Sequence, residues 1–244
     1  MTEVKKTHTL RSSPGMSIRM LADYMTASEQ AKRTLLTRSK YAPIAPTIQH
    51  DAARESIVQH LSSGGGPIDA IQLRIATLKN GLQGSPFEIE KAENNADYLE
   101  RYLQTTPHLP PKVQDVALGD KMPFLDMEGF ALRCRPEFVF RRTTRTNVPK
   151  MGLGFLRYGK GKPLPLETAC WQGAIAVGYL SAKLQQGLAE IDPDREITAV
   201  IDVWTGQCHI APSNSVYRFN EVKAACAGIA QRWAQIPPPP NAVF

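Results

Sequence analysis

Apolar residues recur at helical spacing through the first hundred positions and switch to two-residue alternation after Pro123. In the front half, Thr26-Ala27-Ser28-Glu29 has the form of a capping box and predicts a helix to about Arg38, with Leu35 and Leu36 as its apolar contribution. Ala53, Ile57, Val58 and Leu61 predict a second helix over 51–61, which the run Ser62-Ser63-Gly64-Gly65-Gly66 then breaks. Ile71, Ile75 and Leu78 share one face of a third, over 69–80, with Gly81 at the C-cap. The fourth start is the clearest. Ser85 stands as N-cap, Pro86 as first helical residue and Glu88 as capping-box partner of a helix running to about Leu103. Its expected buried stripe is Ile89, Ala92, Ala96, Leu99 and Leu103.

In the back half, Phe130, Leu132 and Cys134 alternate with Arg133 and Arg135, and Met127-Glu128-Gly129 has the character of a hairpin turn. Strands are expected over 138–141 and 151–158, and a long helix over about 166–186. The apolar run 197–204 suits a strand covered on both faces, and a short strand follows after Thr205-Gly206-Gln207. Asn220 is placed to cap a last helix with Val222, Cys226, Ile229 and Trp233 as its stripe. Within the 151–158 strand, Gly152 and Gly154 read as sites of close backbone approach. The organisation expected is a flexible segment 1–20, a helical region 21–84, a mixed α/β domain 85–236 and a mobile proline-rich tail 237–244.

Length and composition fit that picture. A chain of 244 residues, 42% hydrophobic and 21% charged, excludes collagen-like, coiled-coil and wholly disordered classes. The longest apolar stretch, 169–184, is interrupted by Gln172 and ended near Lys183, so it reads as a buried helix and not a membrane span. No apolar block follows Lys5, Lys6 and Arg11, so the secretory pattern is not met and a cytoplasmic location without membrane partners is expected. Cys134, Cys170, Cys208 and Cys226 stand at no zinc-knuckle spacing and read as small buried hydrophobes. His50, His60 and His108 read as surface or capping residues.

The net charge of +6 is modest, but its distribution is uneven. From Arg133 to Lys162 stand nine basic side chains (Arg133, Arg135, Arg141, Arg142, Arg145, Lys150, Arg157, Lys160, Lys162) against one acidic residue, Glu137. Such a concentration, rich in arginine forks, is the footprint of a phosphate-binding surface.

The order helix, strand, strand, strand, helix, strand between Ser85 and Trp204 resembles the core of the PD-(D/E)XK nuclease superfamily, restriction-endonuclease-like enzymes among them. Pro136-Glu137 has the form of its first motif, and Tyr158-Gly159-Lys160 stands where the (D/E)-x-K motif would be, with Tyr158 in the carboxylate position. The resemblance implies an α/β fold, a central mixed sheet flanked by helices with the N-terminal helical region beside it. It further implies Glu137 and Lys160 as catalytic residues, and a Mg²⁺ or Mn²⁺ ion held by Glu137 with Asp126. Glu128, or Glu93, Asp97 and Glu100 of the acidic helix, are further sources of a carboxylate. Two or more carboxylates are needed to hold such an ion beside a phosphate, and Tyr158 supplies none. The function expected is therefore nucleic-acid binding, DNA in preference to RNA, on a nuclease-like fold with a degenerate centre. The alternative is an adaptor whose helical half, 21–84, recruits a protein partner.

Overall fold

The computed structural model describes residues 6–44, 50–81, 84–187, 191–240 and 242–244. The chain begins with strands β1 (His8–Leu10) and β2 (Gly15–Ser17) and helix α1 (Ile18–Thr26), whose cap Ser17 accepts the Met20 N–H. Helix α2 (Glu29–Lys40) starts at Ser28, which accepts the Ala31 N–H. The expected cap is thereby corrected, because Thr26 closes the preceding helix instead of opening this one. Strand β3 (Tyr41–Pro43) pairs antiparallel with β1. Helices α3 (Asp51–Ser62), α4 (Asp69–Asn80) and α5 (Pro86–Thr105) follow, and Ser85 and Glu88 form the reciprocal capping box. The face that α5 buries is Asn95, Ala96, Tyr98, Leu99 and Tyr102, turned toward the tyrosines from the predicted stripe.

The back half comprises β4 (Asp115–Leu118), β5 (Met122–Met127), β6 (Phe130–Cys134), β7 (Phe138–Thr143), β8 (Pro149–Arg157), α6 (Leu166–Gln185), β9 (Asp192–Pro193), β10 (Ala199–Asp202), β11 (Gln207–Ile210) and α7 (Ser215–Arg232). Glu128 and Gly129 join β5 to β6 with φ of 54° and 84°, the two positive angles of a tight hairpin. Only 199–202 of the expected 197–204 run is strand, since Arg195–Ile197 forms a 3₁₀ turn. Helix α7 begins at Ser215, so Asn220 lies inside it and caps nothing, while Val222, Cys226, Ile229 and Trp233 are buried.

The protein is mixed α/β. Its main sheet has the order β11-β10-β8-β7-β4, with β9 on β8. Strands β4, β7 and β8 make an antiparallel meander, and α6 carries the chain over to β10, parallel to β8. Strand β6 is not part of that sheet. It pairs with β5 and β2 in a separate three-stranded sheet, and its apolar side faces the core shared with α1 and α6. Alternation along the main sheet divides the interior into two cores. Leu153, Phe155 and Val200 join Leu132, Tyr179 and Val222 on one side; Phe138, Phe140, Leu156 and Ile201 join Ile57, Ile71, Tyr98 and Leu99 on the other. A β-carbon at Gly152 would stand 2.4 Å from the Ile197 carbonyl oxygen, the close approach its place in a strand suggests.

The helices of residues 21–84 pack on the rest of the molecule, Leu21 and Leu36 in the first core and Ala53, Ile57 and Ile71 in the second. The chain ends are also built into the body. The Thr7 and His8 N–H groups donate to Val243 O, and the Phe244 ring lies 5.3 Å from that of Tyr41. Lys40 Nζ donates to the carbonyls of Trp233, Ala234 and Ile236 at 2.8–3.0 Å, and Tyr41 Oη to that of Ile236. Residues 1–5 of the segment expected to be flexible, and 241 of the expected tail, lie outside the described residues. Among the described residues no helix is long and apolar enough to cross a membrane. All four cysteines are free thiols; Cys134 and Cys226 are buried, and burial pushes the Cys226 thiol up to about 12 and Cys208 to about 11.

Candidate functional site

Folding disperses the basic run. Arg141, Arg142, Arg145 and Lys150 sit toward the tip of the β7–β8 hairpin, Arg141 about 13 Å and Arg142 about 17 Å from Glu137 at the rise of a strand. Arg142 donates to Asp194 and Glu196 at 2.5 and 2.8 Å, Lys150 pairs with Asp192 at 2.9 Å, and Arg141 with Asp115 at 3.5 Å. Arg145 and Lys162 are exposed in loops. Arg157, expected on the phosphate surface, is 6% exposed and faces inward. Its guanidinium donates to Gln172 Oε1 of α6 at 2.6 Å, to Asp23 at 3.1 Å and to the Arg19 carbonyl at 3.0 Å, clamping α1 and α6 to β8.

Arg133 and Arg135 remain, and they share a cavity of about 770 Å³ with Arg19, Arg54 and Lys121. The cavity lies between the two sheets. β2 and the first turn of α1 form one wall, the start of β5 and the end of β6 another, and Glu137, Phe155 and Leu156 the floor. Five cations thus face one carboxylate. Arg19, Lys121, Arg133 and Arg135 have no carboxylate partner among the described residues, although Arg133 also donates to Gly15 O at 2.8 Å. Burial holds the Arg54 and Arg133 guanidinium groups below their ordinary pKa, so an anion entering the cavity would relieve both.

Glu137 enters β7 with its backbone fixed on both sides: its N–H donates to Gly154 O and its carbonyl accepts the Gly119 N–H. The side chain is 8% exposed, accepts the Leu156 N–H at 3.0 Å and forms an ion pair with Arg54. Lys160 does not stand on this cavity. It is exposed and pairs with Asp97 of α5. Asp126 is exposed on β5 and lines a different cavity, between the β5–β6 hairpin, α6 and α7. Among the described residues no three His, Cys, Asp or Glu side chains are gathered to hold a metal ion. Mg²⁺ requires several oxygen ligands, and the cavity offers one carboxylate already engaged by a guanidinium, so its residues do not fit that ion.

A smaller cavity adjoins, lined by Arg19, His50, Arg54, Tyr98 and Tyr158. Tyr158, the residue in the motif's carboxylate position, stacks on Tyr98 at 4.0 Å, and His50 stands edge-on to both rings. His50 holds the N-cap position of α3 without a side-chain cap bond and packs its half-buried ring on the tyrosines; His60, also half-buried, shares hydrogen bonds with Tyr102 Oη and Gly66 O. Burial, then the charges of Arg19 and Arg54, hold the His50 imidazole below its ordinary 6.5, against the weaker pull of Asp51. The unfolded chain takes up that proton at a higher pH than the folded one, so this group's contribution to stability is lost as pH falls below 6.5. In thermal unfolding across pH, His50→Gln should flatten that part of the profile.

Arg19, Arg54, Lys121 and Gln172 were not singled out by the sequence pattern. One signal was present: Arg19 and Arg54 both stand in the first turn of a helix, where the macrodipole disfavours a cation unless an anion offsets it. No protein-family model matches the chain, and no curated protein matches it.

Proposed function

We propose that this protein binds nucleic acid through the cationic cleft, on a nuclease-like fold whose catalytic centre is degenerate. The observation that carries this reading is the gathering of Arg19, Arg54, Lys121, Arg133 and Arg135 around one buried carboxylate. Charge focused in a low-dielectric recess attracts phosphates far more strongly than the same charge spread over a surface. The topology supports the nuclease-like part. Helix α5, the meander β4-β7-β8, helix α6 and β10 follow the helix, three strands, helix, strand order of that superfamily, with Pro136-Glu137 entering the second strand and β5–β6 as an insertion. Arg54 occupies by charge the place a metal would take against Glu137, which favours binding without cleavage. The apolar faces of residues 21–84 are spent on the body of the protein, which favours this reading over an adaptor.

Anisotropy of a labelled oligodeoxynucleotide across a salt series tests the cleft. The double variant Arg19→Ala, Arg135→Ala should weaken binding and reduce the slope of log affinity against log salt by about 0.7 per lost contact on single strands, or about 0.9 on duplex. An unchanged slope would refute the interface. Incubation with Mn²⁺ should leave the DNA intact; cleavage abolished by Glu137→Ala would overturn the degenerate centre.

A further inference from the structure

Phe124 stands on the wall of the cationic cleft with 60% of its surface exposed. The backbone that carries it is held firmly. Tyr179 Oη donates to Pro123 O at 2.5 Å and Lys183 Nζ to Phe124 O at 2.9 Å, both from buried side chains of α6. These two carbonyls fall where the β5–β6 register shifts, between Met122 and Leu125, so side chains of α6 satisfy them. The ring is thus presented to solvent from a fixed backbone, beside Lys121 and Arg133. An exposed aromatic costs solvation, and one fixed in place loses little further entropy when a flat partner stacks on it.

The cleft also has a size. At about 770 Å³ it lies within the range of small-ligand pockets, ~300–1,000 Å³. That accommodates a nucleotide or two with bases splayed out, whereas a paired, stacked duplex keeps its bases inside and offers the cleft only its backbone. Cations that track phosphates, combined with an aromatic platform for a base, are the means by which single strands are held without reading their sequence.

We propose that the cleft takes single-stranded nucleic acid, with a base stacked on Phe124 and the flanking phosphates on Arg19, Lys121, Arg133 and Arg135. This rests on the reading of the cleft as a nucleic-acid site. The test compares, on the full chain, an oligodeoxythymidylate, an abasic oligomer with the same number of phosphates, and a blunt duplex. The thymidylate should bind about tenfold more tightly than the abasic oligomer, the loss expected for one stacking contact, and more tightly than the duplex. Phe124→Ala should lower thymidylate affinity to the abasic level with its salt slope unchanged, and Phe124→Trp should retain it. Equal binding of thymidylate and abasic oligomer, a preference for duplex, or an unaffected Phe124→Ala variant would each overturn the stacking proposal while salt-dependent binding kept the cleft reading in place. If no oligomer binds at any salt concentration, both fall together.

Discussion

Arg157→Met is expected to destabilise the protein by about 3 kcal/mol or more, the cost of removing one partner from a buried ionic cluster. The guanidinium answers Gln172, Asp23 and the Arg19 carbonyl together, and methionine keeps the apolar stem while leaving all three unanswered. Burial, and then the charge of Arg19, lower the Arg157 pKa to about 10, with Asp23 opposing both. The side chain is still charged at neutral pH, so the cluster is ionic there. Asp23 is 38% exposed and recovers some hydration, which sets the expectation at the low end of the range. A chain of this length should lose roughly ten degrees in melting temperature. Arg157→Lys should restore only part of the loss, because an ammonium cannot span three acceptors with a planar fork. A variant that melts with the wild type would show that the clamp between α1, α6 and β8 contributes nothing.

Lys40→Met carries the second large effect. The ammonium inserts among the carbonyls of Trp233, Ala234 and Ile236, where the last helix unwinds through a 3₁₀ turn whose closing bond runs from the Ile236 N–H to Trp233 O. Hydrogen bonds to a charged group contribute about 1.5–3 kcal/mol net, and a loss of about 3 kcal/mol is expected here. The effect should be local as well as global. Hydrogen exchange should quicken through 233–236 and at β1, which leans on the same corner. Exchange as slow as wild type at 233–236 would contradict it.

Boundaries were legible wherever a side chain answers a backbone group locally. Ser85, Pro86 and Glu88 fix the start of α5 because all three act within one turn. Helix α1 escaped notice although Ser17 caps it, because its apolar residues lie close behind a polar start. Strand β4 escaped because it is short and lies at the sheet edge, where no alternation is required. The pairing of β6 could not be read at all: alternation tells which residues face inward, and not which strand lies alongside. Charge was misleading for a related reason. Counting along 133–162 found one acidic residue, but the partners of Arg141, Arg142 and Lys150 are Asp115, Asp194, Glu196 and Asp192, brought in from outside that window. Pro136-Glu137 does stand at the head of β7, as the sequence places it, because a proline followed by a strand is a local feature.

The cleft is bounded by strands of two different sheets, and the contacts that join them are far apart in sequence: Arg133 reaches the Gly15 carbonyl across 118 residues. The β7–β8 hairpin closes a short loop and can form early, whereas the parallel pairing of β2 with β6 must await the closure of a very long one. The wall that β2 supplies is therefore expected to join the cleft only after the β7–β8 hairpin that carries its floor.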